Sequence, residues 1–95
     1  MKVSLSSTVC RRSEPFAANV GGRVVLMSAE AGNYYDLDEV GSDIWDRLAQ
    51  PVLVSDLCES LVASYDGTPD QIKRDVLVLL GELAAQELID VRQPG

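Results

Sequence analysis

Residues 33–45 read Asn33-Tyr34-Tyr35-Asp36-Leu37-Asp38-Glu39-Val40-Gly41-Ser42-Asp43-Ile44-Trp45, and this stretch decides the fold. Its first half alternates as a strand does, with Tyr35 and Leu37 on one face. Its second half sets Val40, Ile44, Trp45 and Leu48 at helical spacing. Asp38 stands at the junction as a natural N-cap, because its carboxylate can accept a bond from an unpaired amide of the first helical turn. The only tryptophan and two of the three tyrosines fall here. A short aromatic strand running directly into an amphipathic helix is therefore the organising element of the chain.

Working upstream, Gly21-Gly22 joins two runs, Phe16 to Val20 and Arg23 to Ser28. Two glycines tolerate the positive φ values that a tight hairpin turn requires. Ala29-Glu30-Ala31-Gly32 reads as a second turn, and Asn33 to Leu37 as a third strand, giving an antiparallel meander. Residues 1–15 show no clear periodicity, and Arg11-Arg12-Ser13-Glu14-Pro15 reads as a bend. Downstream the pattern is helical. Helix one spans about Glu39 to Ala49 and stops before Pro51. Helix two carries Leu57, Cys58, Leu61, Val62 and Tyr65, and Asp66-Gly67 ends it with a glycine suited to a left-handed residue. Helix three begins with Thr68 as cap, Pro69 at the first position and Gln71 three residues after the cap. It runs to about Gln86, and Leu88 to Val91 packs back as an extended tail.

Composition narrows the function. Ninety-five residues make one domain, 1–95 with a core over about 16–91, and leave no room for a second. The 46% hydrophobic content describes a globular chain, and the longest apolar run, Val76 to Leu80, is too short to span a bilayer. No charged segment followed by an apolar one opens the chain, so no signal peptide, no membrane association and a cytoplasmic location are expected. Histidine is absent, which removes Ser-His-Asp and Cys-His catalysis and the commonest zinc ligand together. Cys10 and Cys58 are far apart and outside any Cys-x-x-Cys pair, as expected of plain thiols in a reducing compartment. The net charge is −7, and residues 30–95 hold fourteen acids against Arg47, Lys73, Arg74 and Arg92. Such a body disfavours a polyphosphate partner.

The motifs that imitate sites fail on chemistry. Asp36-x-Asp38-x-Val40-Gly41 begins like a calcium loop. Its fifth position would be Val40, which cannot coordinate, and its twelfth Arg47, which opposes the ion. Gly21-Gly22 fits no phosphate-binding loop, and no nucleophile or cofactor motif accompanies the many carboxylates. The sequence thus predicts no metal, no cofactor and no enzyme. A sheet followed by three helices also suits a winged helix-turn-helix with helix three as the reading helix. Its basic residues, Lys73 and Arg74, lie among Asp70, Asp75, Glu82 and Glu87, a poor surface for phosphates. On helix three, at 100° per residue, Ile72, Val76, Leu79, Leu80 and Leu83 form the core stripe. Lys73, Leu77, Gly81, Ala84 and Leu88 widen it beyond one buried seam. Either two neighbours cover the helix, or Leu77 and its flank line an open groove.

The series Tyr35-x-Leu37-Asp38-x-x-Gly41-x-x-Ile44-Trp45, then Pro51, Leu57, Leu61 and Tyr65, then Asp75-Val76 and Leu79-Leu80-x-x-Leu83, resembles the PqqD family. Such domains are also called RiPP recognition elements. The similarity covers roughly residues 16–91 and is nearest to the free-standing members of lasso-peptide biosynthesis, though coenzyme-PQQ members share the pattern. Two positions depart from it: Leu53 stands where a threonine cap is common, so helix two is expected to start nearer Ser55. Glu87 stands where a glycine is common.

The resemblance implies an α+β domain, a three-stranded antiparallel sheet followed by a three-helix bundle of winged helix-turn-helix type. It implies a non-catalytic module that binds the leader of a ribosomally made precursor peptide by strand addition and delivers it to modifying enzymes. Asn33, Tyr34, Tyr35 and Asp36 would supply the edge backbone, with Leu37 turned inward. Lys73, Leu77 and Leu80 would form the opposing wall, Lys73 and Arg74 would pair with acids of the leader, and Val25 and Met27 would floor the sheet side. In a lasso pathway the implied partners are a leader peptidase and an ATP-dependent cyclase; in a PQQ-type pathway, a radical-SAM enzyme. The expected oligomeric state is a monomer or weak dimer, because an unpaired sheet edge can self-associate. A winged-helix DNA-binding protein is the alternative from another class.

Overall fold

A computed structural model describes residues 3–13, 16–28 and 32–94 of the chain. The β-hairpin forms as the glycines require. Strands β2 (Phe16–Val20) and β3 (Arg23–Met27) pair antiparallel, with Val20 opposite Arg23 across the turn. Gly21 and Gly22 both have positive φ, 61° and 87°, and the Gly22 amide donates to the Asn19 side-chain oxygen at 3.0 Å. Strand β4 (Tyr34–Asp36) completes the sheet in the order β2-β3-β4, with Leu26 opposite Tyr35. The turn expected over 29–32 and the Glu14-Pro15 bend lie largely outside the described residues.

The class is α+β, but the architecture holds a second sheet that the single-meander expectation lacked. Strand β1 (Thr8–Arg11) lies between β5 (Val52–Leu53) and β6 (Ile89–Arg92), antiparallel to both. The segment 1–15, expected to be irregular, therefore supplies the central strand of a sheet. The tail after the last helix is one of its edges.

Three helices follow their end signals closely. Helix α1 (Glu39–Arg47) is capped by Asp38, whose carboxylate accepts the Gly41 amide at 2.7 Å. Helix α2 (Val54–Ser64) starts directly from β5, and Leu53 serves as its N-cap with no side-chain bond. The helix thus starts one residue before Ser55, because the preceding strand pairing positions its first turn. It ends at an extended Tyr65 and not at a left-handed glycine. Helix α3 (Pro69–Ala85) has Thr68 as cap, accepting the Gln71 amide at 3.3 Å, and Pro69 at its start. Its end is a Schellman turn: the amides of Glu87 and Leu88 bond to the carbonyls of Ala84 and Leu83. Glu87 sits in the left-handed region at φ 58°.

The core lies where the two sheets and three helices meet. Val24 and Leu26 of β3, Ile44 and Trp45 of α1, Leu57 and Leu61 of α2 and Val76, Leu80 and Leu83 of α3 are all buried. Each such side chain contributes about 1.5–3 kcal/mol relative to exposure. Arg11 of β1 stacks 5.7 Å from the Trp45 ring centroid, and its amide donates to the Leu48 carbonyl at 2.9 Å. These contacts tie the second sheet to the end of α1. Cys58 is buried and Cys10 half-buried, both as free thiols. Burial pushes the Cys58 thiol up, against the opposing charge of Lys73. Among the described residues no helix is long and apolar enough to cross a membrane.

Candidate functional site

Strand β4 is the open edge of its sheet. The Ser28 amide donates to the Asn33 carbonyl and the Leu37 amide to the Val24 carbonyl, each at 2.9 Å. Asn33, Tyr35 and Leu37 therefore direct their backbone groups toward β3. Because the pleat alternates, Tyr34 and Asp36 direct theirs outward. Among the described residues no further strand pairs with β4. Two amides and two carbonyls thus face the open side, in register for an added strand.

Buried Ser42 holds this edge in place. Its hydroxyl accepts the Val24 amide at 2.8 Å and donates to the Leu37 carbonyl at 3.2 Å, so one side chain of α1 bridges β3 and the end of β4. Arg23 adds an outer clasp: its Nε donates to the Leu37 carbonyl at 3.2 Å, and its Nη2 stands 3.5 Å from Asp36 Oδ1.

Beside β4 opens a cleft of about 730 Å³. Tyr35, Asp36 and Leu37 line one side; Ile72, Asp75, Leu79 and Glu82 of α3 line the other. Ile44, Leu61 and Val76 reach its lining from the core and close the bottom. The α2–α3 connection, with Tyr65, Asp66 and Gly67, borders a further side together with Gln71 of the first turn of α3. Tyr65 is fixed there because its hydroxyl donates to Asp43 Oδ2 at 2.8 Å, while Arg47 Nε donates to Asp43 Oδ1 at 3.0 Å. The Arg47 bonds hold the Asp43 carboxyl below its usual range, with burial opposing and the Tyr65 bond assisting. Donation to Asp43 in turn pushes the Tyr65 phenol up.

The sequence-predicted residues distribute as follows. Tyr35, Asp36 and Leu37 line the cleft, and exposed Asn33 and Tyr34 extend along its edge strand. Val25 and Met27 lie on the outer face of the sheet, where Met27 pairs with Phe16 and Tyr34, and neither is among the cleft lining. Leu80 is fully buried, and Leu77 is packed half-buried against the core. Half-buried Lys73 and exposed Arg74 are also outside the lining. The cleft opens instead on the flank of α3 that carries Asp75 and Glu82. Sequence reasoning missed Arg23, Ser42, Ile72 and Leu79 as parts of this site. The i, i+3 and i+7 positions of Ile72, Asp75 and Leu79 were the available signal for the α3 wall.

An open sheet edge beside a cleft is the geometry in which an extended ligand can add as a further strand, and among the described residues no group of His, Cys, Asp or Glu could hold a metal ion. Residues 23–89 match the profile of coenzyme PQQ synthesis protein D (PqqD), and the chain belongs to the PqqD family. Two solved structures share the fold. One is TbiB1 in complex with the TbiA(beta) leader peptide, with a TM-score of 0.76 and 28% identity, covering 85% of this chain and 94% of that one. The other is lasso peptide synthetase B1 complexed with the leader peptide, with a TM-score of 0.75 and 22% identity, covering 86% and 96%. Comparison with curated proteins gives no significant match.

Proposed function

We propose that this chain is a RiPP recognition element: a non-catalytic domain that binds the leader of a ribosomally synthesised precursor and delivers it to modifying enzymes. The observation that carries the reading is the outward backbone of Tyr34 and Asp36 beside the cleft, in a fold shared with the leader-bound TbiB1. The leader adds as a strand to β4, and its inward side chains enter the cleft against Ile72 and Leu79. Backbone bonds set register, and the cleft selects side chains. Leu37 and Leu80 act from beneath as packing support, and Lys73, Arg74 and Leu77 form the adjoining flank of α3.

The lasso pathway is the favoured setting, with a leader peptidase and an ATP-dependent cyclase as recipients. The family match to PqqD supports a second setting, delivery to a radical-SAM enzyme. Fluorescence anisotropy with the labelled leader of the precursor encoded beside this gene tests the reading. Saturable binding in the micromolar range or tighter is expected. No binding of that leader at high micromolar concentration overturns it. Turnover by the isolated chain would remove its non-catalytic part.

A further inference from the structure

The lining of the cleft is apolar at its floor and acidic at its rim. Asp36, Asp38, Asp66, Asp75 and Glu82 surround it, and Arg23 is the only cation among the lining residues. That arginine is already engaged, by Asp36 and by the Leu37 carbonyl. Asp75 accepts the Gln71 side-chain amide at 2.9 Å, a neutral partner. Among the described residues no cation pairs with Asp66, Asp75 or Glu82. Lys73 and Arg74, the cations of α3, lie outside the cleft lining. All five carboxylates are exposed.

This pattern has a definite complement. An acidic strand entering the cleft would meet like charges along both walls, with one committed arginine to offset them. A strand carrying Lys or Arg meets unpaired carboxylates on α3 and at the α2–α3 connection. Asp75 and Glu82 are seven residues apart, about 10 Å along the helix axis, so they front two separate positions of an extended peptide. Leu79 lies between them on α3, and with Ile72 and Leu37 it leaves apolar lining for an uncharged side chain.

We infer that the leader segment taken by this cleft is cationic, with Lys or Arg side chains on either side of an apolar anchor. The inference rests on the leader-binding reading and specifies the chemistry of the ligand. Long basic side chains reach the rim while their neighbour fills the floor, and the acidic field raises the encounter rate of such a segment. The net charge of −7 acts in the same direction at longer range.

The test uses the full chain and a fluorescein-labelled synthetic peptide with the leader sequence encoded beside the gene. Three forms are compared: as encoded, with each Lys and Arg replaced by Gln, and a scrambled peptide of equal charge. The encoded form is expected to lose about two- to fivefold in affinity per charge removed. Its affinity should fall as salt rises from about 50 to 500 mM, and less steeply in the Asp75→Asn, Glu82→Gln double variant. Circular dichroism checks that the variant stays folded, and the salt series on the unaltered chain needs no variant. Equal binding of the encoded and Gln forms overturns the charge inference and leaves leader binding standing. So does a bound leader without Lys or Arg. Equal binding of the scrambled peptide shows attraction by charge alone and overturns both the flanked apolar anchor and specific leader recognition. Failure of every form to bind overturns leader binding itself.

Discussion

The Asp38 carboxylate holds the Gly41 amide at 2.7 Å, and a Cβ on Gly41 would come to 3.2 Å from that same oxygen and 3.3 Å from Leu37 Cβ. The N-cap that starts α1 and the glycine in its first turn therefore occupy one tightly packed corner. Leu37, the residue leaving β4, is the third wall of it. Glycine to alanine within a helix ordinarily stabilises by about 1 kcal/mol. Here overpacking, at about 1–3 kcal/mol, exceeds that gain. Gly41→Ala should cost about 1 kcal/mol net and weaken leader binding, since Gly41 and Leu37 both line the cleft. Thermal unfolding checks the first expectation, and a rise in Tm would contradict it.

Ser42 offers a second handle on the same edge. In Ser42→Ala the Val24 amide loses its acceptor in a buried setting, at a cost of about 1–3 kcal/mol. Because the hydroxyl also bonds to the Leu37 carbonyl, hydrogen exchange should rise at Val24 and along 34–37 more than in α2. Uniform acceleration across the chain would show that Ser42 does not act locally on the edge.

The outward direction of the Tyr34 amide yields a test of strand addition. Proline is tolerated on an edge strand when the missing N–H faces solvent. Tyr34→Pro should keep the fold and weaken the leader by about two- to tenfold, the worth of one backbone bond. The same change at Tyr35, whose backbone faces β3, should disrupt the sheet instead. If Tyr34→Pro binds leader as tightly as the native chain, β4 is not the docking edge.

At Glu87 a non-glycine residue holds the left-handed position of a Schellman turn. An L side chain there costs about 1–2 kcal/mol, partly offset by the flexibility a glycine restores to the unfolded chain. Glu87→Gly should therefore stabilise by about 0.5–1 kcal/mol and raise Tm by a few degrees. Leader affinity should not change, because Glu87 is not among the cleft residues.

The Asp43–Tyr65 bond makes stability depend on pH at both ends. The folded Asp43 carboxyl is held below its unfolded value. Its contribution is present above the ordinary carboxylate pKa of about 3.9 and is lost as pH falls through the lower, folded value. The folded Tyr65 phenol is raised, so its contribution is present below about pH 10 and is lost as pH rises through the folded value. Tyr65→Phe should lower Tm across the neutral range, and the difference should shrink toward both extremes. A constant difference from acid to alkaline pH would exclude this linkage.

Local signals carried much of the fold. Gly21-Gly22, the Asp38 cap and the Thr68-Pro69 start each encode their conformation within a few residues, and each element stands where those residues direct. The β1–β5–β6 sheet has no such signal. Thr8–Arg11 is four residues long and β5 only two, and their pairing joins positions more than forty residues apart. Nothing in a local hydrophobic period encodes a contact of that kind. The site divides in the same way. The strand Tyr34–Asp36 was legible from its alternation, whereas the open flank of α3 was not. Ile72 and Leu79 belong to a continuous apolar stripe, and only the neighbours of that helix decide which part of the stripe stays uncovered.

The brevity of β4 bears on how long a ligand stays. Its two outward-facing residues offer four backbone bonds at most, or about 2–6 kcal/mol in total. Immobilising a partner costs about as much or more. The edge alone therefore cannot retain a peptide, and the lifetime of the complex is governed by the side chains in the cleft. Once those anchors leave the cleft, the remaining strand peels away. Three residues of strand are enough to align a peptide and too few to hold it.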